Sequence, residues 1–174
     1  MSYFFDLKIE DSYAPGRYVY TTLDGLEWNL TYEITTPGSS CEITESLTNN
    51  LSVIGRTITK TAGENLAFGD IVYFKNDGKV WKAGAQNVGT YPAMAMATGT
   101  ISANATGTFL LWGTARNDAW NWTIGGILYL STVAGAITQT MPPSTDDAVQ
   151  ILGVAHVNAD TIYFKPSIDY FTHT

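Results

Sequence analysis

The sequence predicts an all-β protein, a small antiparallel β-barrel or sandwich with a β-hairpin-rich N-terminal section, and three observations predict it. Apolar residues alternate with Thr, Ser, Asn and Gly, the period-two pattern of half-buried strands. Turn-forming residues return about every eight to twelve positions, the spacing of a sandwich or barrel. Helical periodicity is almost absent. At 174 residues the chain is long enough for one well-buried domain. A domain of that size buries roughly 70% of its unfolded surface and needs no disulfide or metal staple.

The elements follow in order. Tyr18 to Thr35 is a hairpin, because Asp24-Gly25 sits between two aromatic and β-branched runs and readily takes the positive φ angles of a tight turn. Tyr18, Tyr20 and Thr22 share one face of its first strand; Trp28, Leu30 and Tyr32 share one face of its second. Glu42 to Leu47, the Asn49-Asn50 turn and Leu51 to Thr61 form a second hairpin. Beyond Ala62, Ile71 to Phe74 and Lys79 to Lys82 flank Asn76-Asp77-Gly78, a loop that wants glycine in the left-handed region. Ala93 to Ile101 and Thr108 to Ala115 turn near Asn104. Ile127 to Ser131 and Ala136 to Thr140 flank Val133-Ala134-Gly135, and Val149 to Val157 and Thr161 to Lys165 flank Asn158-Ala159-Asp160. Asp118 to Ile124 is the one helix candidate, a turn or two long, and Pro142-Pro143 marks an irregular loop. The chain therefore divides into an N-terminal hairpin and docking section (1–61), a β-barrel domain (62–166) and a C-terminal tail (167–174).

Charge narrows the partners. Sixteen acids against nine bases give a net charge of −7, with no basic stripe, whereas phosphate neutralisation supplies most nucleic-acid affinity. Nucleic acid is not an expected partner. Neither is a membrane: no window approaches the roughly 20 apolar residues of a spanning helix. Met1 to Glu10 lacks a basic region followed by an apolar run, so no signal peptide is expected. Charged residues make up 14% of the chain, against about 25% in an average soluble protein. Ala83 to Ala115 and Ala119 to Thr145 contain none at all. Free monomers keep charged surfaces for solubility, so neutral, small-residue surfaces suit a protein packed against copies of itself.

Candidate chemistry is sparse. Cys41 is the single cysteine, which excludes an internal disulfide and reads as a small strand residue. His173 stands near the chain end, and His156, in Gly153 to Val157, has no Cys, Asp or Glu at ligand spacing. A triad would have to be built on His156, and no Gly-x-Ser-x-Gly elbow accompanies it. Asp146-Asp147 reads as a solvated loop pair. Gly125-Gly126 lacks a following Gly-Lys-Ser/Thr and reads as a turn. Four Asn-x-Ser/Thr sequons, at Asn29, Asn50, Asn104 and Asn121, are what a chain rich in Asn and Thr contains by chance. No catalytic residue, metal site or cofactor is expected. The suggestive constellation is aromatic: Trp112, Trp120 and Trp122 beside Arg116 and Asn117. Such clusters fill cores, anchor interfaces or stack sugar rings, with core or subunit contact the leading expectation. Tyr3, Phe4 and Phe5 open a weakly alternating aromatic segment suited to adding a strand to a neighbour's open edge.

Six runs carry a family resemblance: Leu66 to Tyr73, Asp77 to Ala83, Asp118 to Gly126, Leu128 to Ser131, Val149 to Ala155 and Thr161 to Pro166. Together they resemble a β-module of tailed-bacteriophage structural proteins, which include capsid decoration (cement) proteins, head fibres and tail-fibre-associated proteins. The resemblance spans Asn65 to Pro166 and rests on turn and packing signals. It implies a small β-barrel or sandwich, a homotrimer clamped onto a capsid or fibre. The partner it implies is the major capsid protein, and the location is the capsid exterior of the virion, after synthesis in the bacterial host cytoplasm. The expected role is a decoration protein that binds across capsid subunits and stabilises the shell. The alternative is a tail-fibre or receptor-binding module that contacts host surface glycan through Trp112 to Trp122.

Overall fold

A computed structural model of the chain describes residues 18–21, 27–30 and 47–172. The chain forms two compact units, Met1–Glu42 and Ile43–Thr174. In the first, β1 (Tyr18–Thr21) pairs antiparallel with β2 (Glu27–Leu30). The register sets Tyr18 opposite Leu30 and Tyr20 opposite Trp28, so these members of the two expected rows occupy matching positions; Thr22 and Tyr32 lie outside the described residues. The Asp24-Gly25 turn, the first arm of the second hairpin (Glu42 to Ser46) and Cys41 lie outside the described residues.

The second unit is all-β, with no helix among the described residues. Its spine is a long strand, β7 (Thr106–Arg116). One edge of the spine is lined over its whole length by β3 (Ser52–Thr61), from Ser52 opposite Arg116 to Thr61 opposite Thr106. The other edge is shared. Its first half takes β6 (Ala95–Ala97), followed outward by β4 (Ile71–Phe74) and β5 (Val80–Lys82). Its second half takes β12 (Thr161–Phe164), then β11 (Ile151–Ala155), β8 (Ile127–Leu130) and β9 (Ile137–Thr138). The antiparallel sheet curls into a half-barrel. Beyond β3, Ala62 makes a parallel bridge to Val80 of β5, so that end of β3 reaches the sheet's far edge.

One device lets the spine serve two cores. Leu110 and Ala115 belong to one cluster, with Ile71, Met96, Leu128, Leu130, Leu152, Ile162 and Phe164. Phe109 belongs to the other, with Leu66, Val72, Val80, Ala97 and Ile101. Strict alternation would put Leu110 and Ala115, five residues apart, on opposite faces. The register slips at Leu111, where Arg56 pairs with Trp112 and Thr57 with Leu110. That bulge adds one residue to β7 and switches its faces. Gly55 and Gly113 face each other beside it, at φ of +151° and +145°. A Cβ on either would collide with a carbonyl oxygen of the opposing strand. The two phenylalanines, Phe109 and Phe164, are fully buried, and each contributes about 2–3 kcal/mol by leaving water.

Most turns match their expected chemistry. Gly78, Gly125 and Gly135 take φ near +80°, and Asn104 takes φ +65°. Three regions differ from expectation. Asp118 to Ile124 is not helical: Asn117 accepts from the N–H of Trp120 at 2.9 Å, its side chain accepts from Ala119, and a second turn follows at Ile124-Gly125. Asparagine's local bonds outcompete a helix that would be too short to sustain itself. The stretch Ser52 to Thr61, assigned to the N-terminal section, pairs with the spine of the β-domain, and the compact unit starts at Ile43. Sequence texture changes at Ala62, but long-range pairing does not follow texture. The C-terminal segment is also tied down: β13 (Phe171–Thr172) pairs with β10 (Ala148–Val149), and Ser167 donates to Ile151 O at 2.9 Å.

Candidate functional site

The three tryptophans do not form one platform. Trp120 packs against Phe68 (centroids 6.2 Å, planes 39° apart) and Trp122 (6.1 Å, 52°). Both Trp120 and Trp122 are half-buried against the cluster of Ile71 and Phe164. Gly69 makes room for the Trp120 ring, which a Cβ there would approach to 3.2 Å. Trp112 stands apart. It pairs in register with Arg56, on the sheet face that carries Ile58 and the second core, whereas Val53 and Ala115 on the opposite face meet the first. The sheet itself divides residues that the sequence places within eleven positions. Tilted, core-packed rings make a poor stacking surface for a sugar, which prefers a flat exposed face. The Trp122 indole nitrogen is buried without a partner.

Arg116 organises one end of the spine. Its Nε lies 2.8 Å from Asp118 Oδ1 and 3.2 Å from Asp160 Oδ2, and Nη1 donates to Leu47 O at 2.7 Å. Asn50 Oδ1 accepts from the N–H of Asp118. Three loops are thereby clipped together, with the guanidinium committed to structure.

The other candidates resolve similarly. His156 lies just past β11, its ring edge-on to Tyr163 at 6.1 Å and its Nε2 buried without a partner. Asp147 is buried and accepts from the N–H of Ser144 at 3.2 Å, while Asp146 occupies a left-handed turn position. Among the described residues no group of three His, Cys, Asp or Glu comes together. One shallow cavity of about 120 Å³ is lined by Ser131, Thr132, Thr138, Thr140, Met141, Pro142 and Pro143. Small-molecule sites usually run from about 300 Å³ upward. The Ser131 and Thr138 hydroxyls in it already accept from Val133 and Thr140 N–H groups. The Asp77 carboxyl is held below its usual range, first by the N–H of Lys79, against an opposing desolvation penalty, with further help from the Trp81 indole and nearby lysines. It serves its hairpin. Tyr3, Phe4, Phe5 and His173 lie outside the described residues.

What the surface does display is apolar. Val88 (86% exposed), Ile168 (70%), Val133 (66%), Phe171 and Ile124 (58% each) lead the exposed large side chains, with Ile127, Ile151, Tyr170 and Met141 behind them. Val88, Ile124, Ile127, Val133 and Met141 all fall in the two charge-free stretches. Sequence reasoning marked those stretches by their missing charge but singled out none of these aliphatic residues, because alternation alone does not tell which apolar positions a core will cover. No protein-family model and no curated protein matches the chain.

Proposed function

We propose that the chain is a structural virion protein of a tailed bacteriophage. In this reading it is a capsid decoration protein that binds across major-capsid subunits and stabilises the shell. The observation that carries the reading is a β-domain whose charge-free segments display large aliphatic side chains to solvent. In this reading these side chains contribute to apolar patches of the sort that mark protein-interaction surfaces. The resemblance of Asn65 to Pro166 to phage structural modules supplies the identity of that surface. Burial of neutral β-surface would provide the stabilisation, and many modest contacts per particle would sum to effectively permanent attachment. No cofactor or catalytic step belongs to this role.

The test is binding of the purified full-length chain to expanded, protein-stripped capsids of the phage that encodes it. The decoration role requires saturable binding at a whole multiple of the capsid's symmetry. Absence of capsid binding, with attachment to host cells or their surface polysaccharide instead, would replace it with the fibre role.

A further inference from the structure

The large sheet ends in three edge strands, β5, β9 and β3, and two of them are closed to a further strand. Along β5, Gly63 donates to Val80 O at 2.8 Å, and the N–H of Lys82 donates to Glu64 Oε1 at 3.0 Å. β9 is only two residues long. Covering an edge and keeping it short are both ways to block strand addition. β3 uses neither. It runs for ten residues without a proline, and among the described residues it pairs with β7 alone. Its outer edge is about 33 Å long at roughly 3.3 Å per residue.

The direction of its free backbone groups follows from β7. Thr108 O accepts from Thr98 N at 3.2 Å on the β6 side, so Thr108 turns its N–H and C=O away from β3. Thr59, opposite Thr108, therefore forms a non-hydrogen-bonded pair with it and points its own N–H and C=O outward. Thr57, two residues along and opposite Leu110, repeats the arrangement. Both threonines are exposed.

Charge says what kind of strand this edge takes. β3 holds Arg56 and Lys60 and no acid, a net of +2 in a chain of −7. Among the described residues neither cation forms an ion pair, whereas Lys82 and Arg116 do. Arg56 is exposed, and Lys60 lies over the Phe74 ring at 5.3 Å. Two copies of β3 laid edge to edge would set like charges against each other. The cations thus act against that pairing and favour a strand that carries carboxylates.

We propose that the outer edge of β3 takes up an extended, acidic segment of the capsid protein as an added strand. The proposal rests on the decoration reading for the source of that segment; the chemistry it demands comes from β3 itself. Main-chain bonds to groups such as those of Thr57 and Thr59 supply the affinity, and carboxylates opposite Arg56 and Lys60 supply the selectivity.

Binding of the full chain to expanded, protein-stripped capsids, with hydrogen exchange over residues 52–61 read by mass spectrometry, tests it. Bound chain is expected to protect additional amides in this segment. Thr59→Pro removes an outward N–H, a position where an edge strand tolerates proline, and is expected to bind capsids about tenfold more weakly or worse. Arg56→Glu, at an exposed position outside both cores, is expected to weaken binding by about tenfold at an unchanged thermal midpoint; it carries the test if the proline variant unfolds. Wild type that binds capsids while Arg56→Glu binds equally well, or that gains no protection over 52–61, overturns the edge site and leaves the decoration role standing. Outward amides already slow in the free chain, or slowed by raising its concentration without capsids, overturn it too, since the edge is then filled by this chain or a second copy. Wild type that ignores capsids overturns the decoration role and this partner together.

Discussion

Gln150 is fully buried and spends its amide on three backbone groups belonging to two segments that no long strand ladder reaches. Replacing it by leucine keeps the volume but strands one N–H and two carbonyls away from water. Gln150→Leu should cost about 3 kcal/mol, read as a lower urea midpoint, and should expose the C-terminal segment to protease. Gly113 poses the opposite problem. Gly113→Ala drives a methyl into Ile54 O at a φ of +145°, so the β3–β7 ladder must move, and a loss above about 3 kcal/mol is expected in the same assay. Asp77 gives a pH signature. Its folded pKa is depressed, chiefly by the N–H of Lys79, so its stabilising contribution is complete above the ordinary carboxylate range. That contribution disappears as pH falls through the lowered folded value. An NMR titration should place the Asp77 midpoint below that of free aspartate, with the Trp81 indole N–H, which donates to Asp77 Oδ2 at 3.0 Å, shifting in step.

Strand β7 is the element on which the molecule depends, because it holds β3 along one edge and both β6 and β12 along the other. Its bulge at Leu111 decides which core each side chain joins, and so separates Trp112 from Trp120 and Trp122. The consequence is measurable. Trp120→Ala empties a space between Phe68, Trp122 and the main cluster and should cost about 3–4 kcal/mol in thermal or chemical unfolding. Equal stability of the Trp120→Ala protein and the wild type would show that the ring is not part of the core. The segment from Asp118 to Ile124 shows the limit of local reading at this scale: it is the chain's one helix candidate, yet the Asn117 side chain and Gly125 impose two successive turns.

At the scale of the molecule, the pairing of Ser52 with Arg116 and of Thr161 with the same residue means that the spine is assembled from distant parts of the chain. Long-range pairing must close large loops before any contact rewards it, so folding is expected in the millisecond-to-second range typical of β-barrels. Stopped-flow tryptophan fluorescence checks this, and microsecond folding would contradict the topology. The half-barrel also leaves large apolar side chains outside its two cores. A sheet that curls around two small cores has more alternating apolar positions than the cores can cover, and Ile127 and Ile151, both 45% exposed, are two of the residues left over.

The sequence by itself determined the all-β class, nearly every hairpin and the chemistry of its turns, because these depend on period-two alternation and on residues such as Gly78 and Asn104 that tolerate positive φ. It also determined that the surface would be short of charge. Tertiary structure alone decided that Ser52 to Thr61 belongs to the β-domain, that Trp112 faces away from Trp120 and Trp122, and that residues 167–172 are anchored. Each of these rests on a partner far away in the chain: Arg116 for Ser52, Arg56 for Trp112, Ile151 and Gln150 for Ser167. No pattern within a few residues encodes such a partner, since pairing and burial are set by the curled sheet as a whole.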